Sequence, residues 1–278
     1  MQRRFAPIRL VLFLQFALVA FGCRSSTAPE VTTPPSPTPQ SVAASKSTTI
    51  GIFRPSIGTF ALRKSLTAGF GDVSVKFGRA GDIPLAGDWD GNGTTTVGVY
   101  RPSDNTFYLR NTNKEGEPEL AVALGIKDDL PVVGDWDGNG TVTIGIYRPV
   151  DAEFHLKNSN ASGEPDLKVK FGNVGDRPVA GDWDGDGKAT IGAYRPGIMT
   201  FFLRNANTPG NADFTVVFGE KGDTPLVGDW DGDKAVTVGV YRPATSLFIL
   251  RNLNTAGVPH SMVTFGSPGD LPVVGNWN

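Results

Sequence analysis

The chain has 278 residues, 39% hydrophobic and 19% charged, which is enough apolar material to bury a sizeable core. A formal net charge of −2, from Lys+Arg 26 against Asp+Glu 28, argues against nucleic acid as the partner. Gly 35 and Pro 21 exceed ordinary usage and favour many short strands joined by tight turns over long helices.

Residues 1–22 read as an export signal peptide. Arg3, Arg4 and Arg9 form a basic head, and Leu10 to Phe21 is apolar except for Gln15. That run is shorter than the ~20 residues that span a bilayer as a helix, and no later stretch comes close, so no transmembrane helix is expected in the mature chain. The single cysteine, Cys23, follows Ala20-Phe21-Gly22 and resembles the bacterial lipobox, although a lipobox usually has Leu where Ala20 stands. The resemblance implies a lipid on Cys23; ordinary signal cleavage nearby is the alternative reading. A lone cysteine excludes an internal disulfide. Residues 24–47 are mostly Ser, Thr, Pro and Ala, too poor in apolar side chains to form a core, and read as a disordered tether behind the lipidated cysteine. The expected location is the bacterial cell envelope, lipid-anchored or secreted, with membrane contact only through the anchor.

From residue 48 to 278 the sequence repeats. Gly87-Asp88-Trp89-Asp90-Gly91-Asn92-Gly93 has close copies around Trp136, Trp183 and Trp230, and a truncated one at Trp277, each 47 residues from the last. The copy spanning 82–128 contains four apolar stretches bounded by turn residues: Pro84–Trp89, Thr96–Tyr100, Thr106–Arg110 and Leu120–Gly125. Strands of ~5 to 6 residues with hairpin loops of ~2 to 6 fill the repeat as an antiparallel meander. Four-stranded meanders in tandem are the blades of a β-propeller. The small residues Pro84, Ala86 and Gly87 suit its crowded centre; Leu167-Lys168-Val169-Lys170-Phe171 suits a solvated rim.

The first copy begins at its second strand, Thr48–Phe53, and the chain ends on an extra first strand, Leu271–Trp277. Pairing the two would leave no open sheet edge. The expected fold is therefore all-β: a five-bladed β-propeller of four-stranded antiparallel blades, closed by N- and C-terminal strands sharing one blade. A monomer is expected.

The turn after the first strand places oxygen side chains at positions 1, 3 and 5 and Gly at 6, the spacing by which EF-hand loops wrap Ca²⁺. These are Asp88, Asp90, Asn92; Asp135, Asp137, Asn139; Asp182, Asp184, Asp186; and Asp229, Asp231, Asp233. Here the sequence resembles the FG-GAP and VCBS repeats of integrin-α-type propellers over residues 48–278. That resemblance implies weak, structural Ca²⁺ in the loops, with a backbone carbonyl from Thr94 in the first. The last Asp of the family pattern is replaced by Thr96, Thr143, Thr190 and Thr237, Lys234 takes the place of Gly in the fourth loop, and Asn276 with Asn278 leaves the fifth uncharged. Calcium is thus expected in the first three loops. Plain hairpin turns held by Asx bonding are the competing reading.

Two further residues recur in every copy: Arg54, Arg101, Arg148, Arg195, Arg242, and Asp82, Asp129, Asp176, Asp223, Asp270. An Arg–carboxylate bond locking each blade is favoured over five anion or glycan sites. Trp89 with its mates, and Phe107, Phe154, Phe201 and Phe248, are expected in the core. The loops at Asn113–Glu117, Asn160–Glu164 and Thr208–Asn211 vary between copies and are better candidates for individual function.

His155 and His260 hold different phases of the repeat, and no nucleophile elbow, zinc motif or phosphate loop is present, so catalysis is not expected. The leading expectation is a non-catalytic module presenting repeated sites to a glycan or a cell-surface protein. An envelope scaffold without a small ligand is the alternative, and a hydrolase or lyase is a distant third. The period and blade number are also similar to the tachylectin-type lectins, whose sugar-contact motifs are not recognisable here.

Overall fold

The computed structural model describes residues 47–277. The signal peptide, Cys23 and nearly all of the tether lie outside the described residues.

Among the described residues, twenty strands follow one another. In chain order they are β1 (Thr49–Arg54), β2 (Thr59–Leu62) and β3 (Val73–Lys76); β4 (Ile83–Gly87), β5 (Thr96–Arg101), β6 (Thr106–Leu109) and β7 (Leu120–Ala123). Next come β8 (Leu130–Gly134), β9 (Thr143–Arg148), β10 (Glu153–Leu156) and β11 (Leu167–Lys170), then β12 (Arg177–Gly181), β13 (Thr190–Arg195), β14 (Thr200–Leu203) and β15 (Phe214–Val217). The last five are β16 (Thr224–Gly228), β17 (Thr237–Arg242), β18 (Leu247–Leu250), β19 (Ser261–Thr264) and β20 (Leu271–Gly275). They form five four-stranded antiparallel sheets. Blade 1 has the order β20-β1-β2-β3, and blades 2 to 5 are β4–β7, β8–β11, β12–β15 and β16–β19.

The innermost strands β4, β8, β12, β16 and β20 neighbour one another in a closed ring. They line a central channel of about 200 Å³ with Pro84, Pro131, Pro178, Pro225 and Pro272 among its residues. Proline suits an inner edge, where no partner strand calls for its missing N–H. The second strand of each blade is buried on both faces, and the outer strand exposes every other residue. This is the architecture of a five-bladed β-propeller, with its two chain ends sharing one blade.

Each core lies between blades rather than within one. Leu85, Trp89, Tyr100, Phe107 and Leu109 of blade 2 pack on Ile144 and Ile146 of blade 3. The same arrangement closes the circle, since blade 5 packs on Ile50 and Ile52 of blade 1, and Phe53 shares a cluster with Trp277. Inside each blade a tilted aromatic pair, such as Tyr100 and Phe107 with centroids 4.8 Å apart, holds strands two and three together.

Several strands stop a residue or two from where they were expected, as the outer strand does at Ala123 rather than Gly125, and one of these boundaries has a packing reason. The first strand stops at Gly87, and Trp89 lies beyond it, buried beneath the turn. Its indole folds back over the strand it has just left, so a Cβ on Gly87 would stand 2.7 Å from the ring. The glycine is required by that close approach, and the tryptophan caps the sheet end.

Candidate functional site

Three sets of recurring groups surround the blades. The first is the Arg–Asp pair. Arg101 Nε and Nη2 donate to the two carboxylate oxygens of Asp82 at 2.8 and 2.9 Å. Arg148 bonds Asp129, Arg195 bonds Asp176 and Arg242 bonds Asp223 in the same bidentate form. Arg54 reaches Asp270 across the chain ends. Each Asp precedes strand one and each Arg ends strand two, so the pair clamps one hairpin at its open end. The carboxylate hydrogen bond raises the affinity of each guanidinium for its proton. The second oxygen also accepts a backbone N–H, from Arg79 in the case of Asp82.

The second set is the acidic turn at the opposite end of that hairpin. Asp88 accepts N–H bonds from Asn92 and Gly93, and Asn92 Oδ1 accepts from Thr94. Asp135, Asp182 and Asp229 engage their own loops in the same way. Asp90 and Asp137 are held by Asn92 and Asn139. The backbone carbonyls of Asp88, Asp135, Asp182 and Asp229 accept N–H bonds from Val142, Ala189, Val236 and Thr48 of the next blade. The loops therefore stitch the ring together as well as turning the chain.

Three carboxylates converge within 4.8 Å in the third loop, Asp182, Asp184 and Asp186, and in the fourth, Asp229, Asp231 and Asp233. The first two loops have Asn in the third place and offer only two. Burial, opposed by the loop N–H bonds, raises the carboxyl groups of Asp182 and Asp229 above the usual range. Such a site favours a proton or a cation as neutraliser, and its all-oxygen donor set fits Ca²⁺. The threonines at the ninth position turn away from the loop: Thr96, Thr143, Thr190 and Thr237 donate to the carbonyls of Gly87, Gly134, Gly181 and Gly228. Lys234 keeps the fourth loop in shape at φ 84°, beside φ 85–93° for the glycines Gly93, Gly140 and Gly187.

The third set went unread in the sequence. A cation that follows strand three, Arg63, Arg110, Lys157, Arg204 or Arg251, curls into the loop before strand four and bonds the carbonyl of Phe70, Glu117, Glu164, Asn211 or Val258. A Cβ on Gly116 would stand 2.5 Å from Arg110 Nη1, so the loop glycine makes room for the guanidinium. Asn113 and Asn207 reach back to pin strand two by both amide atoms. Much of what varied least in these loops is therefore structural. The fixed spacing of 47 between these cations was the available signal.

Between the blades lies the concave surface that the sequence pattern did not reveal. A cleft of about 390 Å³ runs from Lys76, Phe77 and Arg79 of blade 1 to Arg101, Tyr108 and the Glu115–Pro118 loop of blade 2. Its register mate between blades 2 and 3, also about 390 Å³, contains Leu124, Ile126, Arg148, His155, Glu164 and Lys168. Another, about 320 Å³, lies between blades 4 and 5 with Phe218, Glu220, Arg242, Ile249 and Met262. Each has one clamp arginine in its wall. The clefts are open, and the shared frame carries different side chains in each.

The class these features define is a five-bladed β-propeller with repeated inter-blade clefts. No protein-family model matches the chain, and no curated protein matches its sequence.

Proposed function

We propose that this propeller is a non-catalytic binding module of the bacterial cell envelope, whose inter-blade clefts receive a glycan. The observation that carries the reading is recurrence: one cleft frame, built on the clamp arginine, appears at three blade junctions, and the unlike residues Tyr108, His155 and Ile249 collect in its wall. Repeated shallow sites on one rigid ring suit a repetitive polymer, because simultaneous engagement gains ~10²-fold or more in avidity. A glycan array tests this. Hits on polymeric saccharides support it; an array without hits, beside a pull-down that recovers one defined protein, replaces the glycan with a protein partner.

Calcium belongs to the same proposal as a structural aid. Asp182, Asp184, Asp186 and Asp229, Asp231, Asp233 would hold it, supplying cross-links within a loop rather than chemistry. The scaffold reading rests on the clamp pairs and threonine locks, which hold strands together whether or not a ligand binds; it expects mutations in the cleft walls to leave every interaction of the protein unchanged.

A further inference from the structure

The clefts share a frame but not a wall, and two positions vary together. The first is the middle of the third strand, where the register mates are Ala61, Tyr108, His155, Phe202 and Ile249. Only two of these are aromatic carbocycles, and both are partly exposed. The clamp guanidinium sits over each ring, Arg101 at 4.2 Å from the Tyr108 centroid and Arg195 at 4.6 Å from Phe202. At the other three junctions that surface is lost. His155 is 7% exposed and bonded to Glu153 at 2.9 Å, Ile249 is 7% exposed, and Ala61 has Gly71 of the following loop lying against it.

The second position is the end of the neighbouring blade's outer strand. The register mates are Lys76, Ala123, Lys170, Val217 and Thr264. Lys76 lines the blade 1/2 cleft together with Tyr108, and Lys170 holds the same register place on blade 3, next to the blade that carries Phe202. Both lysines are exposed, and neither has a carboxylate partner among the described residues. Lys170 stands across from Glu153, whose carboxylate is taken by His155; Lys76 stands across from Thr59. The clamp arginines use Nε and Nη2 on their aspartates.

From this coincidence we infer that two of the five blade junctions, the blade 1/2 cleft and its register mate between blades 3 and 4, are the binding sites, and that each takes a sugar unit bearing a carboxylate. The inference rests on the glycan reading above and specifies its ligand. The part of each ring left open beside the guanidinium offers apolar surface to the C–H groups of a pyranose, and the ammonium draws its carboxylate. Glu115 and Glu117 flank the blade 1/2 cleft, whereas their mates between blades 3 and 4 are the neutral Pro209 and Asn211. The blade 3/4 site is therefore the tighter of the two.

Isothermal titration of the mature chain with an oligogalacturonate, beside a neutral maltooligosaccharide of equal length, tests this. The expected result is two sites per chain for the acidic probe, weakened by salt, with the neutral probe bound about tenfold more weakly. Lys170→Met, on the exposed rim, should remove one site while leaving the melting temperature unchanged. Tyr108→Ala should remove the other, and His155→Ala should remove neither. Five equal sites, equal affinity for the neutral probe, or two undiminished sites in Lys170→Met would overturn this inference and leave the glycan reading intact. Failure of both probes together with an array empty of hits would sink both.

Discussion

Blade 1 and blade 2 are built from the same parts but differ in how the parts are connected. In blade 2 the first two strands are joined by the acidic turn; in blade 1 they come from opposite ends of the chain. The register is nonetheless the same: Thr49 pairs with Gly275 as Thr96 pairs with Gly87, and Phe53 with Leu271 as Tyr100 with Ile83. Arg54 clamps Asp270 at 2.7 Å although 216 residues separate them, where Arg101 and Asp82 are 19 apart. Thr49 donates to Gly275 as Thr96 does to Gly87. The turn is therefore not what sets the blade. Packing of each sheet between two neighbours does so, and connection adds only the lower entropy of a short loop.

Removing residues 271–278 breaks the comparison most severely. It takes Val273 and Trp277 out of the core and leaves β1 as an open edge, a loss of about 5 kcal/mol or more and comparable to the stability of a whole domain. Loss of the cooperative thermal transition, with aggregation, is the expected outcome; a truncated chain melting like the parent would show that closure is dispensable.

Next in size are the clamps. Arg101→Ala leaves Asp82 buried with only its backbone partner, and about 3 kcal/mol should be lost in urea denaturation. Arg54→Ala should cost about 2 kcal/mol, because the Arg54 side chain is 42% exposed against 15% for Arg101 and water replaces more of its work. The reverse order would mean that the joined ends depend on their clamp more than a continuous hairpin does.

Lys234→Gly removes the one non-glycine from a left-handed position that three sister loops fill with glycine, and should gain about 1 kcal/mol, seen as a higher melting temperature. If blade 5 tolerates its turn as passively as blade 1 does without one, the gain will vanish.

The smallest effect concerns calcium. With Ca²⁺ at its dissociation constant each occupied loop should gain about 0.4 kcal/mol, reversed by chelator. Because burial raises the carboxyl groups of Asp182 and Asp229, these two favour the folded state more as pH falls and their protons bind, and oppose it as pH rises through their folded-state values. A cation does the same work at neutral pH, so the calcium increment should fade on acidification through the carboxylate range. An increment that persists in acid would place the ion elsewhere.

The fold was legible because the 47-residue period carries the strand pattern five times without a gap, and because a missing first strand at one end has its counterpart at the other. Strand ends were less so: nothing local says that the Trp89 indole returns over Gly87. The acidic turns were visible as a motif, but their engagement with backbone N–H groups, and the turning of Thr96 into the sheet, depend on how the hairpin is placed.

Repetition is a property of sequence alone, so the sequence determined the blade, the number of blades and the shared closing sheet. What it could not determine is which unlike residues meet. Lys76 and Tyr108 belong to different repeats and lie far apart in phase, and only the packing of one blade's outer strand against the next puts them in one cleft. A cleft between units is made by rotation about the ring axis, and that rotation is decided by side chains packing across blades rather than by any stretch of chain within one.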